Sequence, residues 1–353
     1  MTTLIDKLKK NTTIKDTEIL AQSKFFHAKD MIQTPVPMIN VALSGRLDGG
    51  LTPGLTVFAG PSKHFKTAFA LLLAKSYLEK YQDAVVLFYD SEFGSPQSYF
   101  DSFGIDTSRI VHTPITDIEQ LKHDAMAQLN NIERGDHLIV VVDSVGNLAS
   151  RKEVEDAIDG KSVADMSRAK QLKSLFRMIT PHLTLKDIPM IVVNHTYKEI
   201  GMFPKDIVSG GTGVYYSADN IYIIGRQQEK DGGELTGYNF IINVEKSRHV
   251  REKSKIPIEV SFEGGISKWS GLLEIALQGG FVIKPSNGWY AKKGEDQKYR
   301  AKDTYTKEFW LPILTSQEFK DYITKSFQMS HNDLMSKDFT NEDLETEFEH
   351  AEG

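Results

Sequence analysis

The chain reads as an α/β protein, a mostly parallel sheet with helices on both faces, and three observations predict it. Seven strand-like runs (55–59, 84–90, 138–142, 189–193, 221–225, 239–245 and 256–262) alternate with helical stretches. Runs such as HLIVVVDS at 137–144 are continuously apolar, as a strand buried on both faces requires. Polar, chemistry-bearing residues then follow at the carboxyl ends of these strands, where open α/β sheets bind their ligands. With 353 residues, 40% of them apolar, the chain can build one large domain and a smaller appendage.

The elements fall into four parts. Residues 1–30 mix charges with the apolar pair Phe25-Phe26 and read as a helical arm for contact between protomers. Residues 31–265 carry the alternating core. Residues 266–336 form a small aromatic and basic α/β lobe around NGWYAKKGEDQKYRAKD. Residues 337–353 hold seven carboxylates, Asp338, Glu342, Asp343, Glu345, Glu347, Glu349 and Glu352, and read as a solvated tail. No internal repeat is visible.

Composition excludes several classes. The absence of cysteine removes disulfide frameworks and thiolate zinc sites, and fits a reducing compartment. Met1 to Lys10 is too polar for a signal peptide, and the longest apolar runs fall well short of the roughly 20 residues that span a bilayer. No membrane partner and a cytoplasmic location are therefore expected. A formal charge of −6 argues against a generally basic coat, while leaving room for local basic surfaces.

The most informative segment is TVFAGPSKHFKT at 56–67, a strand running into Gly60, Pro61, Ser62, Lys63, His64 and Phe65, with Lys66 and Thr67 opening a helix. It follows the phosphate-binding pattern G-x-x-x-x-G-K-[ST], in which loop amides surround phosphates, the lysine reaches the outer phosphates and the hydroxyl meets Mg²⁺. Phe65 replaces the second glycine. A nucleotide-hydrolysing site also needs a carboxylate for the metal shell and a base for water. Asp143 ends the 138–142 strand as a Walker B acid would, and Asp90 and Glu92 lie at the lip of the 84–90 strand. Any one of these acids alone reads equally as a helix N-cap.

The succession GPSKHFKT, FYDSEFG, DSVGNLASRKE, VVNHTY and SGGTG resembles the RecA family of homologous-recombination ATPases, and within it the branch from T-even-type bacteriophages. The resemblance covers nearly the whole chain and includes the departure at Phe65. It implies a RecA-like core that polymerises with ATP and Mg²⁺ as a helical filament on single-stranded DNA, pairs it with homologous double-stranded DNA and exchanges strands. It also implies a mediator protein and a single-stranded-DNA-binding protein as partners, and the host cytoplasm as location if the chain is phage-encoded. Two other readings stay open, a ring-forming helicase and a non-hydrolysing mediator paralogue.

The resemblance assigns roles to residues. Lys66 and Thr67 take phosphate and metal, Asp143 serves the metal's outer shell, and Glu92 polarises the attacking water. Tyr99 matches the ring that stacks on adenine, while Pro96 stands where an acidic residue is often found. His195 matches a γ-phosphate sensor that is commonly glutamine. Lys246 and Arg248, two apart on a predicted strand and so expected on one side of it, match a basic pair that enters the neighbouring protomer's site. A solvated strand end is the alternative for that pair.

DNA contacts are expected from Arg168, Lys170, Lys173 and Arg177, the last three at helical spacing after a loop at 151–165. A second loop, 196–213, offers Ile200, Met202, Phe203, Gly210, Gly211 and Thr212. The alternatives are an ordinary charged helix face and a mobile lid.

Overall fold

The computed structural model describes residues 3–14, 17–23, 29–161, 167–199, 201 and 204–329. The strands are β1 (Gly54–Ala59), β2 (Val85–Asp90), β3 (Ile110–Pro114), β4 (Leu138–Asp143), β5 (Pro189–Asn194), β6 (Thr196–Lys198), β7 (Asp206–Val208), β8 (Asn220–Asp231), β9 (Glu234–Lys246), β10 (Lys255–Ser261), β11 (Gly265–Ile266), β12 (Val282–Ser286) and β13 (Trp289–Lys292). Nine of them make one sheet in the order β11-β10-β9-β8-β1-β5-β4-β2-β3. From β8 to β3 neighbours run parallel, whereas β9, β10 and β11 add an antiparallel flank.

Alternation along the central strands supplies both faces of the core. Phe58 of β1, Ile139 and Val141 of β4, and Ile191 and Val193 of β5 pack on one face with Phe69, Leu72 and Leu73 of helix α3 (Lys66–Lys80). Leu55, Val57, Val140, Val142 and Val192 alternate with them and face helices α5 (Ile118–Asn131) and α7 (Ser167–Lys186), meeting Leu121, Leu129, Leu175 and Phe176. Successive strand residues point to opposite faces, so strands apolar throughout demand this double cover. Edge strand β3 is more polar and more exposed, and alternation with apolar runs did not reveal it.

The remaining helices are α1 (Leu4–Asn11), α2 (Pro37–Ser44), α4 (Gln97–Ser102), α6 (Arg151–Ile158), α8 (Thr212–Ser217), α9 (Leu272–Gln278), α10 (Lys307–Thr315) and α11 (Gln317–Phe327). Local chemistry sets their ends. Thr3 and Asp6 close a capping box at α1, and Pro37 opens α2, which Gly45 ends in the left-handed region at φ 73°. In the lobe, β12 and β13 form a hairpin, and Trp310 and Phe319 are buried in the core face that holds α2 and α3. Among the described residues no helix is long and apolar enough to cross a membrane. Phe25-Phe26 and the 337–353 tail lie outside the described residues.

Candidate functional site

The carboxyl ends of β1, β2, β4 and β5 converge on a cavity of about 300 Å³ lined by the Ser62–Ala68 loop, Glu92, Tyr99, Asp143 and His195. Parallel strands place all their carboxyl ends on one edge, so residues as distant in the sequence as Ser62 and His195 meet here.

Thr67 is the second residue of α3, and its hydroxyl donates to Asp143 Oδ2 at 2.7 Å. Asp143 ends β4 and is buried; its Oδ1 has no hydrogen-bond partner. Burial pushes its carboxyl up to about 6, and the Thr67 hydrogen bond works against that. Lys66 is buried too, donates from Nζ to the Pro61 carbonyl at 2.8 Å, and has its ammonium pulled below the ordinary lysine range by desolvation, partly offset by Glu92 and Asp143.

Glu92 sits just beyond β2. Asp90 Oδ1 accepts from the amides of Glu92 and Phe93, at 3.0 and 2.8 Å, and so sets the turn that carries it. Three donors converge on Glu92 Oε1: the Ser144 hydroxyl at 2.8 Å, His195 Nε2 at 3.1 Å and Asn147 Nδ2 at 3.2 Å. The His195 hydrogen bond holds the carboxyl below its usual range, and Ser144 adds to it against the effect of burial. His195 follows β5 and reaches Glu92 only because residue 146 is glycine, since a Cβ there would lie 2.1 Å from the imidazole Cδ2. Ser144, Asn147 and Gly146 were missed as site residues, and Asp90, read from the sequence as a candidate acid at the strand lip, instead sets the turn that carries Glu92. All four lie within the quoted FYDSEFG and DSVGN motifs, but their roles depend on β2, β4 and β5 being neighbours.

The loop departs from the usual pattern in a defined way. Phe65 is left-handed at φ 62°, ψ 14°, the conformation a glycine would take without cost. Its ring stacks on Phe240 at 4.8 Å and 16° and meets Phe69 edge-on at 5.4 Å. A left-handed non-glycine residue costs about 1–2 kcal/mol, which the ring's burial offsets.

Lys246 and Arg248 lie elsewhere. Arg248 is anchored to Asp219, whose other oxygen accepts from the Leu55 amide at the start of β1. At about 3.3 Å per strand residue, this point is roughly 15 Å or more from the phosphate loop of the same chain. The expectation that the two share one strand face is corrected: β9 ends at Lys246, and Arg248 lies in the following turn. Lys246 Nζ donates to the Tyr215 carbonyl at 2.8 Å.

Arg168 also departs from its expected role. Its guanidinium is turned inward, donating to the carbonyls of Leu148, Val145 and Gly146 at 2.8–3.0 Å, so it ties the segment after β4 to α7 and is not free to bind phosphate. Lys170, Lys173 and Arg177 are exposed on α7. In the second loop β6 and β7 pair antiparallel; Ile200, Met202 and Phe203 lie outside the described residues. Gly210 is explained by packing, since a Cβ would lie 2.8 Å from Leu172 Cδ1; Gly211 and Thr212 are exposed where α8 begins.

A family model described as the RecA N-terminal domain matches residues 13–267. Another, described as the C-terminal domain of the bacteriophage T4 recombination and repair protein, matches residues 269–323. The recombination and repair protein of Enterobacteria phage T4 is 50% identical over 339 residues, covering 93% of this chain and 87% of that protein. Protein RecA of Rhodococcus jostii (strain RHA1) is 26% identical over 299 residues, covering 83% and 82%, and Protein RecA of Arthrobacter sp. (strain FB24) is 27% identical over 280 residues, covering 75% and 76%.

Proposed function

The chain belongs to the RecA family of recombination proteins, and from that premise we propose that it is an ATP-hydrolysing recombinase. It assembles as a helical filament on single-stranded DNA, aligns homologous double-stranded DNA and exchanges strands. The observation that carries the hydrolytic part is Glu92, held ionised by three donors at the same sheet edge as Lys66, Thr67 and Asp143.

In this reading the loop from Gly60 to Thr67 receives the triphosphate, with Lys66 against the outer phosphates and Tyr99 against the base. Glu92 orients the attacking water and takes its proton, while His195 holds the carboxylate and senses the γ-phosphate. The unpartnered Asp143 Oδ1 beside the Thr67 hydroxyl suits Mg²⁺, and no cluster of three acidic or histidine side chains is found among the described residues. That donor set fits an ion that keeps several waters and borrows phosphate oxygens. Asp143 and Thr67 would hold Mg²⁺ there, and the ion would supply neutralisation of charge on the phosphates. Lys246 and Arg248, remote from their own loop, act on the neighbouring protomer's nucleotide, so hydrolysis requires the filament.

Lys170, Lys173 and Arg177 bind DNA phosphates, while the 196–213 loop inserts Ile200 and Phe203 between bases and brings the backbone amides near Gly211 and Thr212 to phosphates. A mediator protein and a single-stranded-DNA-binding protein act with it in the cytoplasm, that of the host if the chain is phage-encoded. The phage T4 relative is a recombination and repair protein, which favours this reading over a ring-forming helicase or a non-hydrolysing paralogue. Electron microscopy on single-stranded DNA with a non-hydrolysable ATP analogue tests it: helical filaments are expected, and closed rings or bare DNA would overturn it.

A further inference from the structure

The phosphate loop contains two non-glycine residues in the left-handed region, Lys63 at φ 61° and Phe65 at φ 62°. Residues bearing a Cβ tend to leave that region unless something holds them. Here both are held from outside the loop, by one face of the β8–β9 hairpin. Arg226 of β8 donates from Nη1 to the Lys63 carbonyl at 3.1 Å, and its guanidinium carbon lies 4.8 Å from the centre of the Tyr238 ring. Phe240 stands opposite Arg226 in the strand register and stacks on the Phe65 ring at 4.8 Å. Tyr238, two residues before Phe240 and 5.9 Å from it, completes a continuous row from Arg226 to Phe65. Residues opposite one another across a strand pair, or two apart along one strand, share a face, so this row is a property of the hairpin and not of the loop.

We infer that Arg226 is a positioning residue for nucleotide binding, which braces the Lys63 carbonyl and keeps the phosphate loop in its phosphate-accepting shape. Arg226 does not line the phosphate cavity, so it acts through Lys63. Arginine suits the task because its planar fork donates at its edge while its face lies on an aromatic ring. The ligand class served is a nucleoside triphosphate, and the inference rests on the nucleotide-binding reading given above.

The test measures affinity for a fluorescent ATP analogue, together with melting temperature, in the full chain and in Arg226→Met, Arg226→Lys and Tyr238→Leu. Methionine keeps the stem without the donor, and lysine restores one donor. Arg226→Met should bind about tenfold more weakly, near the low end of what a charged hydrogen bond supplies, with melting unchanged. Arg226→Lys should recover part of that affinity, because it restores a donor but not the face that lies on Tyr238. Tyr238→Leu should weaken binding in the same direction, because the ring that orients the guanidinium is gone. Unaltered affinity in Arg226→Met, an affinity loss matched by lower melting, no recovery with lysine, or an unaffected Tyr238→Leu would each overturn the positioning role while leaving the nucleotide site intact. A wild-type chain that does not bind the analogue would instead remove the nucleotide-binding reading itself, and this inference with it.

Discussion

His195 Nε2 lies 3.1 Å from Glu92 Oε1, so the residues read from sequence as a γ-phosphate sensor and a water-activating base are in direct contact. A change at the sensor therefore reaches the base through one hydrogen bond. Glu92→Gln should cut hydrolysis by about 10² or more, as removal of a general base does, while nucleotide binding and filaments persist. Wild-type turnover in that variant would reassign the base.

His195→Ala tests the contact itself. The imidazole is the foremost influence holding Glu92 below the usual carboxylate range. Without it the carboxyl should take up a proton at higher pH, so the acid limb of the ATPase profile should move upward. His195→Gln, which can still donate, should leave the limb near its original position. An unmoved profile in His195→Ala would separate the two residues.

Asp143 gives a pH dependence of the opposite sign. Its folded carboxyl titrates at about 6, raised chiefly by burial, against about 3.9 in an unfolded chain. Between those values the native state holds the proton that the unfolded state has released, so stability of the nucleotide-free protein falls as pH rises from about 4 to 6. Asp143→Asn preserves an acceptor for Thr67 and removes the buried charge. It should abolish that slope and add about 2–3 kcal/mol at pH 7, while weakening Mg²⁺-dependent nucleotide binding. Thermal melts across pH decide this: parallel curves for the two proteins would refute it.

Phe65→Gly should relieve about 1–2 kcal/mol of backbone strain but lose a larger amount of ring packing against Phe240 and Phe69. Lower melting temperature with nucleotide binding retained is the expected pair of results. Phe65→Asp should harm both, because it also brings a carboxylate to the phosphates. Higher ATP affinity and unchanged melting in Phe65→Gly would make the ring an obstacle, not an anchor.

Mixed filaments test the shared site. Lys246→Ala and Lys66→Ala proteins should each be poor ATPases alone. Mixed, they should regain part of the activity, because some junctions pair an intact loop with a neighbour's intact Lys246. No recovery in any ratio, with co-assembly verified, would confine Lys246 to its own protomer.

On α7 the cations separate into two kinds. Lys170→Ala and Arg177→Ala should weaken binding to DNA of any sequence and each lower the salt slope by about 1, as the loss of one phosphate contact does. Arg168→Ala should instead destabilise the fold by about 1–3 kcal/mol, since it leaves three carbonyls without their donor. Salt titrations beside thermal melts distinguish them; a slope change in Arg168→Ala without loss of stability would restore it as a DNA contact.

The sequence by itself determined the sheet-forming runs, the phosphate-loop pattern and the acids at the ends of β2 and β4. Continuous apolar runs, turn residues and the strand-to-helix spacing of Gly60 to Thr67 are local properties that survive without knowledge of neighbours. Family membership was legible for the same reason, because the motifs keep their order along the chain. Only the tertiary structure decided which side chains touch. The three donors on Glu92 come from the ends of β4 and β5, the Gly146 gap matters only because His195 crosses it, and Phe65 is tolerable only because Phe240 lies beneath it. Arg168 and Arg248 make the same point from the other direction. Both read as surface cations until folding brings carbonyls within reach of one and a carboxylate within reach of the other. Hydrogen bonds and ring contacts between residues distant in sequence depend on strand order and register, and those are set by how the two faces of the sheet are covered, not by any local pattern.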